Sequence, residues 1–221
     1  MTSTEALALL EQFRQGEVSK EKVLQAFQAA PIADLAFAQV DTHRSLRKGF
    51  PEVIFGSGKT PDQVAAIAAK ILEREQRVLI TRASPDHARP LSEKFSKARY
   101  YAAARCVVIE DEPLPKRPGT IAIVSAGTSD LPVADEAAVT ADVMGNNVVR
   151  INDVGVAGLH RILSRLETIQ TASVLVVVAG MEGALPSVVA GLVRRPVIAV
   201  PTSVGYGASF GGLPRIWADL D

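Results

Sequence analysis

Ile121-Ala-Ile-Val-Ser-Ala-Gly-Thr-Ser-Asp130 is an apolar run that breaks into glycine and hydroxyl residues, and the same change of texture recurs down the second half of the chain. Apolar runs at Ile121–Val124, Val148–Ile151, Val174–Val178 and Val197–Val200 alternate with helical patterns over 133–144, 157–169 and 184–193. Runs this apolar cannot leave a face in water, and alternation with helices predicts crossover connections and a parallel sheet covered on both sides. The fold class expected for residues 119–221 is therefore α/β, a doubly wound parallel sheet. In open sheets of this kind ligands sit outside the carboxyl ends of the strands.

The four loops at those strand ends read Ser125-Ala-Gly-Thr-Ser-Asp130, Asp153-Val-Gly-Val-Ala-Gly-Leu-His160, Gly180-Met-Glu-Gly-Ala-Leu-Pro186 and Pro201-Thr-Ser-Val-Gly-Tyr-Gly-Ala-Ser-Phe-Gly-Gly212. Each mixes glycine, which lets backbone N–H groups approach a ligand, with hydroxyls or a carboxylate that can bond it. Three of them lead into helix N-termini, whose dipoles favour phosphate or carboxylate. Together they predict one anion-binding pocket for a nucleotide. The candidate contacts are Gly127, Thr128, Ser129, Gly183, Ser203, Gly205, Tyr206, Gly207 and Ser209, with Asp130, Glu182 and His160 as candidate catalytic groups.

Plain alternatives stand beside these roles. Thr128, Ser129 and Asp130 could only cap the next helix. His160 could sit on the outer face of a helix instead of moving protons, and Tyr206 could pack in the interior or stack on a flat ring. Gly205-Tyr-Gly207 resembles half of a dinucleotide fingerprint, but the third glycine falls at Gly211.

The first half is organised differently. Residues 1–30 read as a helical hairpin, with Leu7, Leu9, Leu10 and Phe13 on one apolar face, Val23, Leu24 and Phe27 on another, and Gly16 between. Thr2 followed by Glu5 fits a capping box. Short strands are expected at Phe37–Val40 and Val53–Phe55, a strand at Val78–Thr81, a helix over Pro85–Lys97 and a strand over Tyr100–Ile109. Thr60-Pro-Asp-Gln63 opens a helix with its own capping box. Asp111–Gly119, dense in proline and charge, reads as a linker. The expected organisation is a hairpin plus small α/β domain over 1–112 and the parallel domain over 119–221.

Gly56-Ser-Gly-Lys-Thr60 has the look of a phosphate loop, but Val53 stands where its leading glycine belongs. Asp41, His43 and His87 are metal-ligand types without ligand spacing. Cys106, the single cysteine, rules out an internal disulfide framework and reads as a buried, inert thiol in a strand. Lys plus Arg equals Asp plus Glu at 24 each among 221 residues, so no global field recruits nucleic acid or an acidic membrane. The N-terminus lacks the pattern of a signal peptide, and the apolar runs are too short to span a bilayer. The location expected from this is cytoplasmic.

Taken in order, the four loops resemble the LarB family, also described as PurE- or AIR-carboxylase-related. Asp41-Thr-His-Arg-Ser-Leu-Arg-Lys-Gly-Phe-Pro-Glu-Val53 and Gly56-Ser-Gly-Lys-Thr-Pro61 are similar to its N-terminal region. The resemblance implies a PurE-like parallel domain preceded by a smaller α/β domain, and substrate contacts from Asp41 and Arg44. It implies carboxylation of the pyridinium ring of nicotinic acid adenine dinucleotide with CO2 or bicarbonate and hydrolysis of its phosphoanhydride. The products are AMP and pyridinium-3,5-biscarboxylic acid mononucleotide, the first step toward the nickel-pincer cofactor. It also implies magnesium, for which Glu182 and Asp130 are the candidate ligands, and a homo-oligomer, an octamer if the PurE pattern holds. After Gly212 the family continues with a long helix, a cysteine that adds to the ring, and a last strand; here Leu-Pro-Arg-Ile-Trp-Ala-Asp-Leu-Asp221 stands instead. The expectation is a chain that binds substrate and forms little dicarboxylated product. Two other readings are an aminoimidazole ribonucleotide carboxylase or mutase with His160 as proton carrier, and a non-catalytic nucleotide-binding regulator.

Overall fold

The computed structural model describes residues 3–28 and 32–203. The chain divides into two compact units, Met1–Ala102 with Cys106–Glu112, and Ala103–Arg105 with Pro113–Asp221.

In the first unit, helices α1 (Ser3–Arg14) and α2 (Lys20–Gln28) precede an antiparallel pair, β1 (Ile32–Asp34) and β2 (Gln39–Asp41). The charged stretch that follows folds as a short helix, α3 (Arg44–Lys48). Then come β3 (Ile54–Phe55), α4 (Pro61–Leu72), β4 (Arg77–Thr81), α5 (Pro85–Lys94), β5 (Ala98–Tyr101) and β6 (Cys106–Glu110). Their sheet runs β3-β4-β6-β5, parallel only between β3 and β4. Its core joins Val64, Ile67 and Ile71 of α4 to Val78 and Ile80 of β4 and to Val107 and Ile109 of β6.

Thr60 caps α4 as its sequence predicts: its hydroxyl accepts from Gln63 N, and Gln63 Oε1 accepts from Thr60 N. Lys59 Nζ is spent on the Phe55 carbonyl, so the stretch 56–60 is a turn and a cap. The single strand expected over Tyr100–Ile109 is instead a hairpin, with Tyr100 opposite Val107 and Tyr101 opposite Cys106. The chain reverses at 102–105, where Arg105 takes φ 50° without any of the usual turn residues.

The second unit is built from β7 (Thr120–Ser125), α6 (Leu131–Val143), β8 (Asn147–Ile151), α7 (Leu159–Leu163), α8 (Leu166–Thr171), β9 (Val174–Ala179), α9 (Leu185–Leu192) and β10 (Val197–Pro201). All four strands are parallel, in the order β10-β9-β7-β8. Side chains alternate across the sheet. Ile123 and Val178 pack on one face against Ala134 and Ala138 of α6. Ala122, Val124, Leu175 and Val177 pack on the other against Ile162, Ile169, Leu185 and Val189. The sheet is therefore doubly wound, as the sequence pattern requires. The helix expected over 157–169 is broken into a 3-10 turn at Val156–Gly158, α7 and α8.

The path runs from β7 outward to β8, then crosses back to β9 on the other side of β7. The direction reverses between β7 and β9, the position where such sheets open a crevice for ligands. Among the described residues no helix is long and apolar enough to cross a membrane.

Candidate functional site

A cavity of about 300 Å3 opens at that reversal, lined by the loops that follow β7, β8 and β9. Its walls include Gly127–Asp130, Asp153, Arg161 and Met181–Glu182. The loops are stitched to one another before any ligand is considered. Ala126 N donates to Val178 O at 3.0 Å, Val154 N to Ser125 O at 3.1 Å and Gly155 N to Ala126 O at 2.8 Å. A Cβ on Gly155 would stand 2.9 Å from the Ala126 carbonyl oxygen, which is why that position holds glycine.

In the loop after β7, Asp130 N donates to Gly127 O, and Asp130 Oδ2 accepts from Gly127 N at 3.0 Å. Asp130 Oδ1 accepts from Thr202 Oγ1 at 2.7 Å, inside a buried contact between residues far apart in sequence. Thr202 N in turn donates to Ala179 O at 3.1 Å. Asp130 thus ties the loop after β7 to the residue that follows β10, and the Thr202 backbone carries the connection on to the end of β9. Its neighbours Thr128 and Ser129 are exposed and line the cavity.

After β8, Asp153 adopts φ 57° and its Oδ1 meets Arg161 Nη1 at 2.8 Å. Both side chains are substantially exposed, so the pair can exchange for a ligand at little cost. A Cβ on Gly158 would lie 2.8 Å from Arg161 Nε, so glycine there leaves room for the guanidinium to lie across the loop. After β9, Gly183 N donates to Gly180 O at 3.0 Å and closes a turn with Met181 at φ 54° and Gly183 at φ 67°. Glu182 is exposed on the cavity wall and makes no hydrogen bond or ion pair among the described residues.

The cavity therefore gathers Gly127, Thr128, Ser129 and Asp130 from the loop after β7 and Glu182 from the loop after β9. Gly183 is buried in the turn behind Glu182, not on the wall. His160 is exposed and is not among the lining residues; the short α7 points the following side chain, Arg161, to the cavity instead. Arg161 and Asp153 are the groups that sequence reasoning missed, though both lie inside or beside the quoted loop. Ser203 is exposed just past β10 and does not line the cavity; Thr202, one residue earlier, is the inward hydroxyl. Gly205, Tyr206, Gly207 and Ser209 lie outside the described residues.

Asp41 and Arg44 belong to the first unit. The Asp41 carboxylate pairs with Arg47 and accepts from His43 N, while Arg44 is exposed at the start of α3. Cys106 is fully buried in β6 and is not among the cavity's lining residues.

Among the described residues no group of three His, Cys, Asp or Glu side chains is placed to cage a metal ion. Asp130 already serves two protein donors and Asp153 is paired with Arg161, which leaves Glu182 as the unpaired carboxylate at the wall among the described residues. One protein carboxylate suits magnesium, which keeps several waters and commonly completes its shell with ligand phosphates. The donor set fits an ion shared with a bound phosphate and does not fit a closed protein cage.

Two family models match the chain, the LarB/PurE-like N-terminal domain over residues 32–112 and AIR carboxylase over residues 120–218. An uncharacterized protein of Methanocaldococcus jannaschii is 35% identical over 208 residues, which is 90% of this chain and 81% of that protein.

Proposed function

Because the chain belongs to the LarB/PurE-related family, which joins a LarB-type N-terminal domain to an AIR carboxylase domain, we propose that its cavity binds nicotinic acid adenine dinucleotide and serves pyridinium carboxylation with anhydride hydrolysis in nickel-pincer cofactor biosynthesis. The observation that carries the reading is the convergence of Arg161, Glu182 and three glycine-bearing loops on one cavity at the reversal of the sheet. Loop N–H groups and the Arg161 guanidinium suit phosphate oxygens. Glu182 is the residue to share a magnesium ion with the pyrophosphate, where the ion would offset its charge. CO2 or bicarbonate is the co-substrate. At about 300 Å3 the described cavity matches the lower end of small-molecule sites, the size of one nucleotide half.

Thiolate addition to the pyridinium ring would require a cysteine at this cavity. Cys106 is the single cysteine of the chain and is sealed in β6, so binding and anhydride cleavage are the parts these residues support. The test is calorimetry of the purified chain with nicotinic acid adenine dinucleotide, with and without magnesium, followed by mass spectrometry of a bicarbonate incubation. Binding, release of AMP and little dicarboxylated mononucleotide is the expected result; no binding under either condition would defeat the reading. The AIR carboxylase match keeps aminoimidazole ribonucleotide as the competing ligand, and tighter binding of that compound would transfer the cavity to it. The position of His160 off the cavity wall speaks against that transfer.

A further inference from the structure

The turn after β9 puts its strain in an unexpected place. Positive φ at the first central position of a closed turn is normally given to glycine. The turn has two left-handed residues, Gly183 at φ 67° and, at its first central position, Met181 at φ 54°, although a glycine stands next to it at 180. Asp153, also left-handed on the same cavity, has a short polar side chain that settles in that region, and methionine does not. Backbone strain of this kind clusters at active sites and ligand clamps. Met181 is 44% exposed and lines the cavity, where its flexible thioether extends an apolar stretch of wall that includes Val156 and Leu185, beside the carboxylates, hydroxyls and guanidinium.

We propose that Met181 is the platform on which the flat heteroaromatic ring of the ligand packs, and so a specificity-determining residue of the cavity. The proposal rests on the reading of the cavity as a nucleotide site. A polarizable sulfur near a ring edge is favourable, and an electron-poor ring strengthens the contact. The strained backbone holds the thioether at the mouth without a search over loop conformations. The phosphate end of the ligand is left to Arg161 and the loop N–H groups.

The experiment measures two ligands against a series at one position. Nicotinic acid mononucleotide carries the ring, and ribose 5-phosphate carries the phosphate and sugar alone. Met181→Ala and Met181→Gly should weaken the mononucleotide by about 3- to 10-fold, and leave ribose 5-phosphate within roughly twofold. Met181→Leu, apolar without sulfur, should fall between. Met181→Gly should also melt higher, by roughly 2–4 °C, because glycine relieves the left-handed position. Unchanged mononucleotide affinity in Met181→Gly would overturn the platform, and so would equal weakening of both ligands, which would make Met181 a loop-shaping residue only. Failure of the unaltered protein to bind either ligand would overturn the nucleotide reading itself, and the platform with it.

Discussion

Replacing Thr202 by valine should loosen the cavity from behind without touching its walls. The hydroxyl donates at 2.7 Å to Asp130 Oδ1 in a buried contact, and Thr202 is 6% exposed. Valine keeps the branched shape and removes the donor, so a buried carboxylate oxygen loses its partner. A hydrogen bond to a charged group is worth about 1.5–3 kcal/mol, and the unsatisfied acceptor places the cost in that range. That is roughly a 10- to 150-fold change in the folded-to-unfolded ratio, or about 3–12 °C in the melting temperature of a chain of this size. Thr202→Ser is the control: it keeps the hydroxyl and gives up one methyl, about 0.8 kcal/mol. Calorimetric melting of the three proteins reads the stability. Hydrogen exchange then localises the loss, which should fall on the loop after β7 and the ends of β9 and β10. Nucleotide affinity should drop with it, because Asp130 also orders Gly127 through its second oxygen. Equal melting temperatures and equal affinities for the valine and serine variants would refute the clamp.

Arg161→Met should weaken a phosphate-bearing nucleotide by about 10- to 100-fold, the worth of a charge-assisted hydrogen bond, while Asp153→Asn should shift stability by less than about 1 kcal/mol because the pair is exposed; titration calorimetry and melting decide both. Glu182→Gln should abolish the gain in affinity that magnesium gives the unaltered protein and leave the metal-free affinity the same or better; a persistent magnesium effect would move the ion elsewhere. His43→Gln tests a pH effect in the first unit. Burial holds the His43 imidazole below its usual 6.5, the positive charges of Arg74 and Arg47 add to this, and Asp41 opposes it. Between the lowered value and 6.5 the unfolded chain binds more protons than the folded one, so stability falls as pH drops through that window. Glu75, raised from 4.5 by burial, slopes the other way, since it stabilises the folded state as pH falls toward 4.5. Melts between pH 7 and pH 5 should therefore lose their acid-side decline in His43→Gln, and an unchanged slope would remove the imidazole from the account.

The parallel sheet was legible because each strand is largely apolar and the first three are each followed by a glycine-bearing loop and then a helical period. Those are local signals, and burial on both faces of the central strands β7 and β9 leaves them no other use. The hairpin of β5 and β6 was hidden because its turn, Ala-Ala-Ala-Arg105, carries no residue that normally reverses a chain. Arg161 was missed by one position. The break of the expected long helix into a 3-10 turn and the five-residue α7 resets which side chain faces the cavity, and apolar periodicity does not report that reset. Thr202 was passed over because its partner lies 72 residues away, and no spacing within the loop encodes the contact. Met181 was overlooked for the opposite reason: the glycines beside it are where a reader looks for a left-handed backbone.

Charge at the cavity bears directly on how an anion could be held there. Among the described residues its lining carries Asp130, Asp153 and Glu182 against Arg161, three formal negative charges to one positive. Arg161 is already engaged by Asp153. Side-chain charge would repel a pyrophosphate, and the loop N–H groups and helix ends must overcome that with partial charges only. A divalent cation reverses the balance, because it converts Glu182 from a repelling group into part of the attraction. On this view Asp130 matters through the two hydrogen bonds that disperse its charge into the protein and Asp153 through its pairing with Arg161, which leaves Glu182 as the unpaired carboxylate at the wall among the described residues. The charge count at this cavity therefore predicts magnesium dependence, which should appear in ligand binding before any turnover is measured.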